Sequence, residues 1–485
     1  MSSAYFERHP SLRPLAYRDY RFLLGGLALV QLAAPFQFLT QVFWLQQEYP
    51  DHATLYASLI AASRGLAMVV FSLVGGAIAD RLERRRILLA TETASLLVNA
   101  VIAFLMIASP VGEATVAAVT LCTFASSGVM SIDGPARSAS MPSIVGMENL
   151  ASAMGLSMVI TQVTMPISLS MVGVLNGLFD PGQVYAGSLL VWAGILPMIA
   201  ALRYHSIGGG GRDVGMVASI REGIRYARAS AAISGILLVL VVVQFAGMPV
   251  ATPLGPVFMI EVLDFTTAQV GFMGMTWGLG SLAASFLLAR FRWLTLRGDT
   301  LAAMTLAFGV GVVGFGLSRY VPVTAVFDFL FGFGFTATSL VSATIVQHTV
   351  ADNVRGRVMG LFPFTLGFAN LCTAPIGLAG QQFGLALLVP ALGVTTLVLC
   401  ASVFATRPQL LSIRARAGRR RPAANRRVVR PWLFGLRSFS ARIDPCIELR
   451  PDSRQPAELV FGQCRHVCPG DSPEVDENLA ADKPA

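Results

Sequence analysis

Residues 76–86 read Gly76-Ala77-Ile78-Ala79-Asp80-Arg81-Leu82-Glu83-Arg84-Arg85-Arg86, and this stretch decides the fold. Residues 54–79 run into it as an apolar segment, and residues 87–108 leave it as another. A helix needs ~20 predominantly apolar residues to cross a bilayer. A turn this short, carrying four arginines, reverses the chain at a membrane surface and holds that end in water.

Composition agrees across the chain. Hydrophobic residues make up 54% of 485 and charged residues 13%, against roughly 25% charged in soluble domains. The apolar runs are too long and too uniform for barrel strands, and helices are the other structure that satisfies its backbone inside lipid. The reading is an all-α membrane protein. Twelve spans are expected, at 22–47, 54–79, 87–108, 113–132, 152–179, 183–201, 234–260, 268–289, 300–317, 322–347, 358–384 and 385–404. The N-terminal arginines Arg8, Arg13, Arg18 and Arg21 precede a retained first helix, since no cleavage site follows them.

The formal charge is +9, and Lys483 is the single lysine. The arginines lie in loops and a tail, which argues against nucleic acid as a partner. A phosphate-binding Walker loop needs its lysine, so the chain is not its own ATPase. An intramembrane enzyme has little support, because the spans show no nucleophile–base pair and no metal-ligand cluster. Cys122, Cys372 and Cys400 fall in apolar spans, where a small apolar side chain is the simple reading. Cys464, His466 and Cys468 offer three ligands at irregular spacing, short of a structural zinc set. No cofactor and no metal are expected.

Loop charge gives orientation. Arg81–Arg86, Arg137, Arg203–Arg228, Arg290–Arg297, Arg355 and Arg357 fall on one side; Glu48, Asp51, Glu113, Asp180, Glu261 and Asp264 fall on the other, with Arg319. The arginine side is expected to be cytoplasmic, and both termini with it. Abundant arginine with a single lysine hints at a GC-rich bacterial genome, so a bacterial cytoplasmic membrane is the expected location. Five segments follow: a cytoplasmic N-terminus 1–21, a six-helix bundle 22–202, a linker 203–233, a second six-helix bundle 234–405, and a disordered cytoplasmic tail 406–485. The linker holds Gly208–Gly211 and then Arg221, Arg225 and Arg228 on one stripe, as in an amphipathic surface helix. The tail arginines 419–421, 426 and 427 either touch anionic lipid or stay solvated with no such role. The fifth span opens Met154-Gly155-Leu156 and the eleventh Met359-Gly360-Leu361, each after a loop holding Asp and Arg. Equivalent places in each half point to two six-helix pseudo-repeats.

Glycine at 76, Asp80, Arg81 and the pair Arg84-Arg85 resemble the signature loop of the major facilitator superfamily. Asp133-Gly134-Pro135-Ala136-Arg137-Ser138-Ala139-Ser140-Met141-Pro142 resembles a run found in its branch of enterobactin exporters and macrolide-efflux proteins. Arg221-Glu222-Gly223-Ile224-Arg225-Tyr226 and Arg355-Gly356-Arg357-Val358-Met359-Gly360 are similar to that branch too. The chain departs at Glu83, where the loop usually has Gly. It departs again at Met165-Pro166-Ile167-Ser168, which lacks the paired glycines of the antiporter motif. The resemblance implies the major facilitator fold, a substrate site between the halves at mid-membrane, and a latch on the cytoplasmic side made by Gly76, Asp80, Arg81, Arg84, Arg85, Asp133 and Arg137. For the arginines, the alternative is that they only enforce topology.

Charged side chains within spans are costly and are functional candidates. Arg64 lies ~24 Å along the second span from Asp80. It either binds an anionic group in the cavity or snorkels outward. Glu92 shares a stripe with Ser95 and Asn99 in the third span and either carries protons or braces the arginine loop. Asp328, Gly332, Phe335, Ser339 and Ser342 keep one face of the tenth span, and Gln37, Gln41 and Trp44 one face of the first. By the resemblance both helices line the cavity, so Asp328 is expected to couple protons; interhelical hydrogen bonding alone is the other reading. The expected function is proton-coupled efflux of a small organic molecule, siderophore-like or drug-like, by a monomer. Two alternatives stand beside it: a metabolite uptake permease, and a non-transporting membrane-anchored interaction protein. Removal of residues 407–485 separates the last of these from a transporter.

Overall fold

The structure is a computed structural model. It describes residues 10–81, 83–108, 110–204, 224–350, 354, 358, 359 and 361–413, with the backbone alone for 10, 72–81 and 363. Most of these residues are helical, and short turns join the helices. Six helices form the first half: α1 (Arg18–Glu48), α2 (Ala53–Arg81), α3 (Arg84–Ala108), α4 (Glu113–Val145), α5 (Leu150–Asn176) and α6 (Pro181–Ala200). Six form the second: α7 (Ala231–Glu261), α8 (Thr267–Arg290), α9 (Gly298–Leu317), α10 (Val321–Thr349), α11 and α12 (Leu385–Thr406). In α11 the pieces Leu361–Leu371 and Thr373–Phe383 meet at Cys372, whose φ of −68° and ψ of −8° stay near the helical region. Eleven of the helices are each long and apolar enough to cross a membrane, and α11 matches their length only as the sum of its pieces.

Local chemistry sets the ends. Thr266 and Gln269 make a reciprocal capping box at the start of α8, with the Thr266 amide donating to Gln269 Oε1 at 2.8 Å. Pro181 opens α6, where a missing amide proton costs nothing. Gly384, at φ +81°, reverses the chain between α11 and α12, a conformation that favours glycine.

The packing repeats at an offset of six helices. In the first half α2 packs on α4, α3 on α4 and α6, and α1 on α5 and α6. In the second, α8 packs on α10, α9 on α10 and α12, and α7 on α11 and α12. The halves join through α2 with α11 and through α5 with α8, which the same offset interchanges. This is the pair of six-helix pseudo-repeats expected from the sequence. Glycine makes both joints tight. A Cβ on Gly271 of α8 would fall 2.6 Å from the Gly173 Cα of α5, and one on Gly65 of α2 would fall 2.6 Å from the Gly367 carbonyl of α11.

Three expectations need correction. The fourth span was expected to stop at 132, with 133–142 as loop, but α4 continues to Val145 with Pro135 and Pro142 inside it. The charges there do not need water, because Asp133 and Arg137 pair one helical turn apart. The eleventh span is divided at Cys372 rather than continuous. The tail was expected to begin at 406, yet Leu410 is buried beside Gly235 and Gly298, and the Gly298 amide donates to the Ile413 carbonyl at 3.0 Å. Residues 407–413 therefore belong to the bundle. Linker residues 205–223 and tail residues 414–485, with their arginine clusters and cysteines, lie outside the described residues. So do Arg355 and Arg357, and the side chains of Gly76, Asp80 and Arg81.

Candidate functional site

A cavity of about 310 Å³ opens among α1, α2, α3, α4, α6 and α11. Helical spacing builds its walls. Ala34, Gln37, Phe38 and Gln41 share one face of α1; Thr123, Ser126, Ser127 and Met130 share one face of α4. Arg64 and Met68 come from α2, Asn99 from α3, Tyr185 from α6 and Asn370 from α11. A smaller chamber of about 40 Å³ adjoins it and shares Phe38, Gln41, Arg64 and Asn370. Its other walls are mostly apolar, and Thr252 and Pro253 of α7 close it. Those two residues lie in a five-residue π-helical segment, Val250–Leu254, flanked by Pro249 and containing Pro253. Such wide turns are frequent at functional sites.

Arg64 stands where the chambers meet. Its Nη2 donates to Gln41 Oε1, and Gln41 Nε2 donates to Thr123 Oγ1 at 3.1 Å. The guanidinium carbon sits 5.9 Å from the centre of the Phe38 ring. Behind the wall, Tyr185 donates to Asn99 Oδ1 at 2.7 Å, and Asn99 Nδ2 donates to Ser126 Oγ at 3.0 Å. Among the described residues Arg64 makes no ion pair with a carboxylate. Gln37 Nε2, one turn along α1 from Gln41, is buried without a hydrogen-bond partner among the described residues.

A second polar cluster lies in the first half, towards the arginine-rich end. Arg137 of α4 reaches Glu92 of α3 at 2.7 Å and Asp133 at 3.0 Å, with all three side chains buried. Thr91 donates to Asp133 at 3.3 Å. Two carboxylates thus share one guanidinium. Among the described residues Arg137 Nη1 keeps no further partner, and a Cβ on Gly26 of α1 would stand 3.4 Å from it. Among the described residues Glu92 therefore pairs with an arginine within α4 and not with one of the arginine loop. From the loop, Arg84 donates to the Ala139 carbonyl at 2.7 Å and to Ser143 at 3.1 Å, and Arg85 to the Ala200 carbonyl at 2.8 Å. These contacts tie the loop to α4 and α6 of its own half.

Asp328 is buried between α8 and α10 and accepts a hydrogen bond from Thr276 Oγ1 at 2.7 Å. It does not line the cavity. Its helical face meets neighbouring helices: Phe335 packs on Trp277 and Phe308, and Ser339 donates to the Phe335 carbonyl at 3.0 Å. Trp44 packs against Tyr49 with ring centres 5.4 Å apart and also stands away from the cavity. Of the residues expected along a substrate pathway, the structure brings together Gln37, Gln41 and Arg64; Trp44 and Ser339 lie elsewhere. Asn99, Thr123, Ser126, Tyr185 and Asn370 join the wall without having been singled out for it. Their signal in the sequence was the polarity of an amide, phenol or hydroxyl within an apolar span.

At the end bearing Tyr49 and Glu261, hydrogen bonds join the halves. Gln46 Nε2 donates to Glu261 at 3.0 Å and Thr54 Oγ1 at 3.5 Å, and Gln381 Nε2 meets His52 Nδ1 at 3.0 Å. Further along the bundle, Gln162 of α5 donates to Ser281 at 3.1 Å and Ser285 at 3.0 Å of α8.

Two six-helix repeats around a polar mid-bundle cavity define a membrane transporter of the major facilitator type. Its relatives agree. The family described as transmembrane secretion effector matches residues 38–421, and the chain belongs to that family. The multidrug efflux pump Tap of Mycolicibacterium fortuitum is 22% identical over 347 residues, 69% of this chain and 81% of that one. The enterobactin exporter EntS of Escherichia coli O1:K1 / APEC is 25% identical over 369 residues, 73% of this chain and 81% of that one. Among solved structures, the nucleoside transporter NupG superposes with a TM-score of 0.61 at 13% identity, covering 80% of this chain and 98% of that one. A POT family transporter in complex with a thioalcohol conjugated peptide gives 0.64 at 11%, covering 81% and 96%. At those identities the two structures speak to the fold alone.

Proposed function

We propose that this protein is a secondary active exporter that carries a small organic molecule out of the cytoplasm in exchange for protons. One observation carries the reading: a polar cavity bounded by both halves, through Gln41 and Arg64 on one side and Asn370 and Thr252 on the other. Rocking one half against the other would expose such a site to each face in turn. The arginine-rich end is taken as cytoplasmic, with both termini, and the protein as a monomer. The cross-half hydrogen bonds at the Glu261 end then hold the halves together at the outer face. The efflux activities of Tap and EntS support the outward direction.

In this reading the loop Gly76–Arg85, with Asp133 and Arg137, latches the cytoplasmic side in the outward-facing state. Asp328 and Glu92 are the acids that carry the proton. Each is buried and could load or release one during the cycle. The test is a comparison of metabolites inside cells and in spent medium for a deletion strain and its parent. Export predicts compounds that rise inside and fall outside on deletion; uptake would give the reverse pattern.

A further inference from the structure

The cavity has a charge asymmetry that the export reading does not use. Arg64 contributes a full positive charge, and the described residues lining both chambers include no Asp or Glu. The guanidinium has five N–H donors in a planar fork suited to an oxyanion, and one neutral amide oxygen, that of Gln41, meets it. Gln37 Nε2 supplies a further donor on the same wall, buried and without a partner. Two acids nearby in the first half, Glu92 and Asp133, both pair with Arg137.

We propose that the cavity selects organic anions, and that Gln41 Oε1 holds the position on Arg64 which the substrate's anionic oxygen takes during transport. This rests on the export reading. A carboxylate would meet the Arg64 fork in two-point fashion, and an acceptor elsewhere on the molecule would meet Gln37. The displaced Gln41 keeps its bond to Thr123, so the exchange alters the contact between α1 and α2. The small apolar chamber beyond Arg64, lined by Val42, Leu45, Ala57 and Ile60, receives a short hydrocarbon portion. At about 310 Å³ the main chamber is at the small end of the range for small-molecule sites. A cationic compound would meet Arg64 with no carboxylate to offset the repulsion.

The test extends the metabolite comparison to strains carrying Arg64→Gln, and then turns to purified wild-type protein. Compounds whose export depends on the protein should migrate as anions at neutral pH. Arg64→Gln should lower their export roughly tenfold or more, the scale of losing hydrogen bonds to a charged group. The acid so identified should raise the melting temperature of the full-length protein in detergent, and its methyl ester should not. The ester comparison needs no variant, so it decides the matter even if Arg64→Gln fails to reach the membrane. Dependent compounds that are neutral or cationic, normal export by a membrane-inserted Arg64→Gln protein, or equal stabilisation by acid and ester would each overturn anion selection while leaving export in place. If no compound depends on the protein, the export reading falls and this inference with it.

Discussion

Arg64, Arg137 and Asp328 are three charged side chains inside membrane-spanning helices, and each has a different solution to the cost of being there. Arg137 has two carboxylates, Arg64 a neutral amide at a cavity wall, and Asp328 a threonine hydroxyl. Replacing Arg137 with Met leaves Glu92 and Asp133 buried without their cation. Breaking a buried pair in this way costs about 3–5 kcal/mol, so Arg137→Met should melt well below the wild type in detergent. Adding Glu92→Gln and Asp133→Asn should recover much of the loss; an unchanged melting curve for Arg137→Met would mean the cluster contributes little. Asp328→Asn keeps the shape and removes the exchangeable proton. If Asp328 couples, this variant should lose uphill transport and keep downhill exchange, as measured by flux in vesicles. Full uphill transport by the variant would pass the role to Glu92. Arg64, Glu92 and Asp328 were legible in the sequence because a charge in an apolar span is conspicuous. Their partners were not, since Gln41, Arg137 and Thr276 come from other helices, and no spacing rule connects residues separated by 23, 45 and 52 positions.

At the scale of the helix, polarity and length gave the spans, while their ends and breaks depended on neighbours. The Asp133–Pro142 run looks like loop by its charge and prolines, yet it is helical because its ions are paired inside the bundle. The division of α11 at Cys372 and the wide turn of α7 leave little trace in composition, although Pro249 and Pro253 mark the latter. The glycine joints were equally hidden, because a glycine in an apolar helix does not say which helix it will meet. Gly173 and Gly271 let α5 and α8 touch backbone to backbone near the Glu261 end. Gly173→Val should wedge them apart, at a cost of ~1–3 kcal/mol to this conformation. The expected outcome is slower transport and greater labelling by an impermeant thiol reagent of a cysteine placed at Gln46. Unchanged labelling and rate would show that the joint does not close this end.

For the whole molecule, twelve helices and the sixfold offset in packing were readable from apolar runs and from the matched Met-Gly-Leu openings, because a repeated sequence pattern folds into a repeated contact pattern. The limit of the bundle was not: Leu410 and Ile413 sit in an arginine- and proline-rich stretch, yet they anchor on α7 and α9. A truncation that tests the tail should therefore remove residues 414–485 and keep 407–413. A transporter so shortened should keep its export rate, whereas a membrane anchor that works by recruiting a partner through the tail should lose its function. Exchange of an organic molecule for protons is read as flux into proteoliposomes. The purified protein is reconstituted, the compound identified from spent medium is supplied outside, and an acidic lumen is imposed. A proton-coupled exporter should accumulate the compound above its external concentration, and the gradient should collapse when a protonophore is added. The same plateau with and without the pH gradient would contradict proton exchange.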